Sequence, residues 1–161
     1  MTNLVNFQYG TETSLTLTSL VSLADGSLWK SASLAIGDPG DTEVEVSFSV
    51  QVGTIPAAGG SLIWFVARQN ANGDIEAGVT AGPGADSSGV ALKTRTLTGP
   101  IASYSLVDAD DNVDVEASFV IPPEAVSDDI LIVFYNNTGG ALHATGTNNY
   151  IRYRGRSQEV Q

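Results

Sequence analysis

Apolar and polar residues alternate along much of this chain with a period of two, the mark of strands with one face on a core and one in solvent. The cleanest run is 43–52: Val44, Val46, Phe48, Val50 and Val52 share one face, and Glu43, Glu45, Ser47, Ser49 and Gln51 share the other. Residues 113–121 repeat the pattern with Val113, Val115, Ala117, Phe119 and Ile121. Two segments, SLIWFVAR at 61–68 and ILIVFY at 130–135, are apolar on both faces and predict strands covered on both sides. Residues 149–154 predict a closing strand with Ile151 and Tyr153 inward and Tyr150, Arg152 and Arg154 outward. Weaker strands are expected at 75–80, after the Asn72-Gly73-Asp74 hairpin signal, and at 90–97 and 101–107 around Gly99-Pro100.

Residues 13–36, TSLTLTSLVSLADGSLWKSASLAI, combine these elements in one stretch. Leu15 and Leu17 alternate with Thr16 and Thr18, Asp25-Gly26 marks a tight reversal, and Leu28, Ala32, Leu34 and Ile36 then share a face. The first half also fits a short helical turn, because Leu17, Leu20, Val21 and Ala24 fall at i, i+3, i+4 and i+7. Its Ser and Thr content limits any helix to about two turns. Pro122-Pro123-Glu124-Ala125 permits one more helical turn. The Gly-rich segment 81–89 (AGPGADSSG) reads as a long exposed loop.

About eight to ten short strands with Gly, Pro, Asn and Asp between them predict an all-β fold. The expected architecture is an antiparallel two-sheet sandwich, a jelly roll in the first instance and an immunoglobulin-like sandwich as the alternative. Residues 13–156 form one domain in this reading. Residues 1–12 are an N-terminal arm, edge strand or mobile tail, and 157–161 a C-terminal tail.

Eighteen acidic residues against seven basic give a net charge of −11. Phosphate recognition needs cations that displace counterions, so a nucleic-acid binder is disfavoured, as is docking on anionic membrane. No apolar run is long enough to span a bilayer. The first ten residues, MTNLVNFQYG, lack the basic start and apolar run of a secretory signal, so synthesis in the cytoplasm is expected. The chain has no cysteine, which excludes disulfides and thiolate chemistry.

Candidate chemistry is sparse. His143 is the only histidine, it sits in a polar turn, and no G-x-S-x-G elbow accompanies it, so neither a nucleophilic triad nor a zinc site is expected. Asp108, Asp110, Asn112 and Asp114 resemble the front of a calcium loop, but Val113 and Phe119 stand where such a loop needs glycine and a bidentate glutamate, which leaves an acidic hairpin loop as the first reading and a less regular calcium site as the alternative. Glu43 with Glu45, or Asp114 with Glu116, would be candidate pairs for glycoside hydrolysis; outward faces of good strands make them solvated charges instead. Asn136-Asn137-Thr138 matches a glycosylation triplet. Gly82-Pro83-Gly84 lacks the lysine and helix of a phosphate loop. No catalytic residue, cofactor or metal is expected.

Binding residues are easier to nominate. Arg152, Arg154 and Arg156 supply three of the seven basic residues within five positions, and with Tyr150 they make a cationic, aromatic strip of the composition found at interface hot spots. Ordinary protection of an edge strand explains the same residues equally well. Phe7 and Tyr9 are the candidate contacts on the N-terminal arm. Trp64 is expected in the core. Trp29 lies opposite Leu28 and Leu34 and is assigned either to the core, to a subunit contact or to a sugar-binding platform.

The 13–36 stretch, followed by TEVEVSFSVQVGTIPAAGGSLIWFVARQNANGDIEAGV and later by FVIPPEAVSDDILIVFYNNTGGAL, resembles small structural proteins of tailed bacteriophages. The similarity runs over residues 10–150 and is carried by turn-and-strand patterns, with no catalytic signature. It implies a capsid decoration (cement) protein or a head- or tail-associated virion component. It further implies a jelly roll, a homotrimer, the major capsid protein as partner and a place on the virion surface. A carbohydrate-binding module and a small glycosidase or lyase are the readings from other classes.

Overall fold

A computed structural model describes residues 5–34, 43–53, 59–68, 79–80, 87–88, 91–92, 100–106, 113–122, 130–145 and 148–160. In chain order the strands are β1 (Val5–Tyr9), β2 (Thr13–Ser14), β3 (Leu28–Lys30), β4 (Glu43–Gln51), β5 (Ser61–Arg68) and β6 (Val79–Thr80), then β7 (Ser87–Ser88), β8 (Ala91–Leu92), β9 (Ala102–Ser105), β10 (Asp114–Ile121), β11 (Ile130–Asn137) and β12 (Tyr150–Val160). The described residues contain no helix. The fold is an all-β sandwich of two antiparallel sheets, as the alternation predicts.

The first sheet has the order β1-β12-β4-β10, with β2 following β1 along the same edge of β12. The second has the order β7-β3-β11-β5-β9, and β6 with β8 forms a separate two-stranded ribbon. Every pairing within them is antiparallel. β4 is central in the first sheet, flanked by β10 from Asp114↔Gln51 to Ile121↔Val44 and by β12 from Tyr150↔Ser49 to Arg156↔Glu43. β11 is central in the second, between β3 and β5.

The inward faces meet in one core. Val44, Val46, Phe48 and Val50 from β4 pack with Ile151 and Tyr153 from β12 and with Leu62, Trp64, Val66, Ile130, Ile132 and Phe134 from the second sheet. Trp64 anchors it, with ring centroids 4.4 Å from Phe48 and 4.7 Å from Phe134. A second cluster of Leu28, Ala67, Leu131 and Val133 lies on the other face of the second sheet. It explains why 61–68 and 130–135 are apolar at successive positions: both faces of β5 and β11 are buried.

Residues 13–34 do not form a hairpin. Asp25-Gly26 does make a tight turn, with Gly26 at φ 72° and Ser27 N–H donating to Ala24 O over 3.2 Å. Yet β2 joins the first sheet and β3 the second, so this stretch crosses the sandwich. The helical alternative for 17–24 shortens to two successive four-residue turns, Leu20 N–H to Leu17 O and Leu23 N–H to Leu20 O.

Trp29 is the core residue of β3, fully buried against the inward cluster, while Leu28 faces the outer one. It therefore offers neither a sugar platform nor a subunit contact. Leu34 joins Trp29 and not Leu28. The reason is an extra residue: Ser31 N–H bonds Ile132 O and Leu34 N–H bonds Ile130 O, so this strand advances three residues while β11 advances two. Such a bulge switches which parity points inward.

One open reading narrows and two expectations change. Residues 5–9 are an edge strand, not a mobile tail. Residues 157–160 continue β12 and pair with β1, from Gln8↔Ser157 to Val5↔Val160. Within the Gly-rich segment, Ser87 and Ser88 add to the edge of β3. The Asn72-Gly73-Asp74 turn, Gly82-Pro83-Gly84 and residues 108, 110 and 112 lie outside the described residues.

Candidate functional site

The strip at 150–156 sits on the outward face of the first sheet, and its neighbours change its character. Strand alternation turns Tyr150, Arg152, Arg154 and Arg156 away from the core, since Ile151 and Tyr153 are buried between them. Register then sets Arg154 directly opposite Glu45, and Arg156 opposite Glu43, on β4. On the other side of β12, the register puts Tyr9 opposite Arg156 and Phe7 opposite Gln158.

Each arginine is consequently held from two sides. Arg154 Nε donates to Glu45 Oε2 over 2.7 Å, and its guanidinium lies 4.1 Å from the Tyr9 ring centroid. Arg156 Nε donates to Glu43 Oε2 over 2.6 Å, and its guanidinium lies 4.4 Å from the Phe7 centroid. Arg152 pairs with Glu12 at 3.2 Å and lies 4.7 Å from the Tyr150 centroid. The carboxylates come from β4 and the segment between β1 and β2, and the rings from β1 and β12 itself. The result is a ladder in which three guanidinium groups are clasped between carboxylates and aromatic faces.

Exposure ranks these pairs. Side-chain accessibility is 19% and 15% for Arg156 and Glu43, 37% and 24% for Arg154 and Glu45, and 45% and 46% for Arg152 and Glu12. An exposed ion pair contributes about 0.2–1 kcal/mol, and a guanidinium over a surface ring about 0.5–1 kcal/mol. The Arg156 end is therefore the firmest. The Glu43 hydrogen bond holds the Arg156 guanidinium above its ordinary pKa. The strip is not the bare cationic surface that three closely spaced arginines suggest, because three glutamates neutralise it.

Tyr150 completes the ladder towards β10. Its hydroxyl donates to Glu116 Oε1, and this bond, followed by burial and the carboxylate's charge, raises the tyrosine pKa above the usual value of 10.0. The phenol must stay protonated to donate, so its contribution to stability is complete below about pH 10 and is lost as pH rises through the raised folded value. In Glu116→Gln the Tyr150 pKa is expected to fall back towards the ordinary tyrosine value. A residue-resolved tyrosine titration by NMR checks this; an unchanged midpoint would show that Glu116 is not the cause.

Among the described residues, Phe7 and Tyr9 are the large apolar side chains left exposed, at 42% and 48%. Asn6 and Gln8, on the opposite face of β1, are exposed as well. A strand of the sandwich buries one face, so exposure of Asn6, Phe7, Gln8 and Tyr9 on both faces sets β1 apart from the strands that line the core. Alternation in VNFQY hints at such a strand, but nothing in it says that the partner is the C-terminus.

The remaining chemical candidates are occupied structurally. His143 Nδ1 lies 2.9 Å from Thr145 Oγ1 and 3.2 Å from Thr145 N, and its backbone N–H donates to Gln51 O. Gly53 is needed where this loop crosses, because a Cβ there would lie 2.6 Å from His143 Cα. Asp114 is exposed and accepts from Asn148 Nδ2 at 3.4 Å. Among the described residues no group of three His, Cys, Asp or Glu is placed to hold a metal ion. Asn136 of the glycosylation triplet is fully buried, and its Nδ2 donates to Leu23 O and Gly140 O at 2.9 Å each. It ties the 136–140 turn to the Asp25-Gly26 turn and offers no amide to a glycosyltransferase in the folded chain.

No protein-family model matches the chain, and a search of curated proteins finds no match. Among solved structures it is similar to the structure of infectious bursal disease virus Gt strain, with 16% identity over 100% of this chain and 40% of that chain, at a TM-score of 0.16. It is also similar to the crystal structure of the infectious bursal disease virus VP2 subviral particle, with 14% identity over 99% of this chain and 42% of that chain, at a TM-score of 0.18. The chain spans less than half the length of those two chains, and at such TM-scores the likeness carries no argument about this protein.

Proposed function

We propose that this chain is a non-enzymatic virion protein of the tailed-phage type, which binds the outside of the capsid and stabilises the shell across subunits. The observation that carries the proposal is the outward face of the first sheet. It presents ordered arginine and aromatic side chains at Phe7, Tyr9, Tyr150, Arg152, Arg154 and Arg156, held in place by ion pairs and ring contacts. Such a surface suits contact with another protein, because its side chains are already ordered and little rotamer freedom is lost on docking. The partner in this reading is the major capsid protein, and the location is the virion surface.

The strand order supports a jelly roll. With β1 and β2 taken as one edge strand, one sheet runs β1/β2-β12-β4-β10 and the other β3-β11-β5-β9. In chain order every link between these strands changes sheet except β5 to β9. With β7 and the β6–β8 ribbon set aside, eight strands wound in this way between two sheets fit a jelly roll. The carbohydrate-binding alternative loses its platform, because Trp29 is buried.

A protein that binds only the assembled shell stabilises it by mass action. Incubation with undecorated capsids, followed by sedimentation, is expected to bring the chain down with the shells and to raise their disassembly temperature. Chain left in the supernatant, with shell stability unchanged, would overturn the proposal.

A further inference from the structure

Among the described residues, β1 pairs on one side only, with β12, and its other edge carries no strand. Edge strands in soluble proteins are normally blunted by lysine, proline or inward charge, because an open row of N–H and C=O groups invites pairing with another chain. VNFQY contains none of these. The residues exposed on it are instead two aromatics and two carboxamides.

We propose that the β1 edge is a self-association site, at which two copies of this chain pair their β1 strands antiparallel about a two-fold axis through Phe7. It does not rest on the virion reading. The first support is the pattern of β1 itself. Read in either direction from Phe7, VNFQY is apolar at the centre, amide at the first neighbour and apolar at the second. Antiparallel pairing centred there sets Phe7 opposite Phe7, Asn6 opposite Gln8 and Val5 opposite Tyr9 of the second copy. A two-fold interface needs this self-complementarity, since the same surface must serve both sides.

The backbone phase agrees. Gly10 N–H donates to Gly155 O over 3.0 Å, in the register that pairs Tyr9 with Arg156. In an antiparallel ladder alternate residues bond to a given neighbour, so positions 8 and 6 turn their N–H and C=O towards β12, and positions 9, 7 and 5 turn theirs to the open edge. Phe7 is thus in phase to exchange both hydrogen bonds with its counterpart, and the seam gains about six backbone bonds in all.

Electrostatics permits this edge, where the exposed carboxylate of Glu159 on β12 accepts from Gln8 Nε2 over 2.6 Å. Two chains of charge −11 repel, but the ladder beside β1 is internally neutralised, with Arg156, Arg154 and Arg152 paired to Glu43, Glu45 and Glu12. The two β12 strands would stand about 14 Å apart, three strand spacings, beyond a Debye length of roughly 8 Å at physiological salt. The Phe7 and Tyr9 rings are already held against arginines, so little side-chain freedom is left to lose. A five-residue seam buries much less than the ~1,600 Å² of a standard interface, so the dimer is weak and concentration-dependent.

The test uses the purified chain alone, so its result is independent of any capsid. In sedimentation equilibrium from roughly 10 µM to 1 mM, the average mass should rise from 16.7 kDa towards twice that value. Phe7→Lys should abolish the rise while leaving the circular dichroism unchanged. The chain has no cysteine, which permits a direct probe of the axis. Facing residues of a hydrogen-bonded antiparallel pair have Cα atoms about 5.5 Å apart, within the range that a disulfide spans. Phe7→Cys should therefore oxidise to a covalent dimer at least about tenfold faster than Ser103→Cys, an exposed control on the edge of the second sheet. A monomer throughout, a mass of three chains, or equal rates for the two cysteine variants would each overturn the proposal.

Discussion

Replacing Trp64 by alanine is expected to lower the unfolding free energy by about 3–5 kcal/mol, the loss typical of a fully buried aromatic side chain. Trp64 has no exposed surface, pairs across strands with Phe134 and touches the rings of Phe48, Phe134 and Phe119, at centroid distances of 4.4, 4.7 and 5.5 Å. Alanine removes the contacts that join the two sheets and leaves a cavity between them. Domains of this size are stable by about 5–15 kcal/mol, so the variant would keep little margin. Trp64→Phe should cost far less, about 1–2 kcal/mol. It shrinks the side chain, but it also removes an indole N–H that is buried with no hydrogen-bond partner among the described residues. Denaturant unfolding of the two variants checks the ordering, and an alanine variant within about 1 kcal/mol of wild type would refute Trp64 as the anchor of the core.

Asn136→Asp should be nearly as damaging at neutral pH and much milder in acid. Asn136 donates from Nδ2 to Leu23 O and Gly140 O, and its Oδ1 accepts from Thr138 Oγ1 at 2.8 Å and Thr138 N at 3.3 Å. Aspartate has the same shape but, when ionised, only accepts, so it would set a buried charge against two carbonyl oxygens. A loss of about 3 kcal/mol or more is expected at pH 7. Burial of this kind raises the folded pKa above the unfolded value of about 3.9. The folded state then holds its proton longer, so the variant loses stability relative to wild type as pH rises above about 4, until the folded group has also ionised. Melting temperatures of variant and wild type should diverge between pH 4 and pH 7. A pH-independent gap would mean that the site is open to water.

The ladder shows where local pattern stops being informative. That Arg152, Arg154 and Arg156 point outward is legible from their alternation with Ile151 and Tyr153, because side chains on a strand change face at every residue. That they are neutralised is not legible. Glu43 and Glu45 lie more than a hundred residues away in the chain, and only the pairing of β12 with β4 brings them opposite. The same holds for Phe7 and Tyr9, which reach the arginines because the two ends of the chain are neighbours in one sheet.

Trp29 marks a different limit. Periodicity places it opposite Leu28 correctly, but it cannot say which of the two faces is the core when both are covered. Leu28, Ala32 and Leu34 share a face by periodicity, and the extra residue between Ser31 and Leu34 breaks that sharing. Asn136 is the converse case, a residue whose triplet suggests surface chemistry and whose hydrogen bonds make it part of the interior.

The positions of β4, β5, β10 and β11, the all-β class, the sandwich and the burial of Trp64 follow from composition and a two-residue period, since each depends on neighbours along the chain. Which strands pair, which face of β3 is inward, how the arginine strip is neutralised and where an edge is left open depend on contacts between residues far apart. In an antiparallel sandwich those contacts are made largely by backbone hydrogen bonds, which every residue type except proline makes alike, so only the folded arrangement decides them.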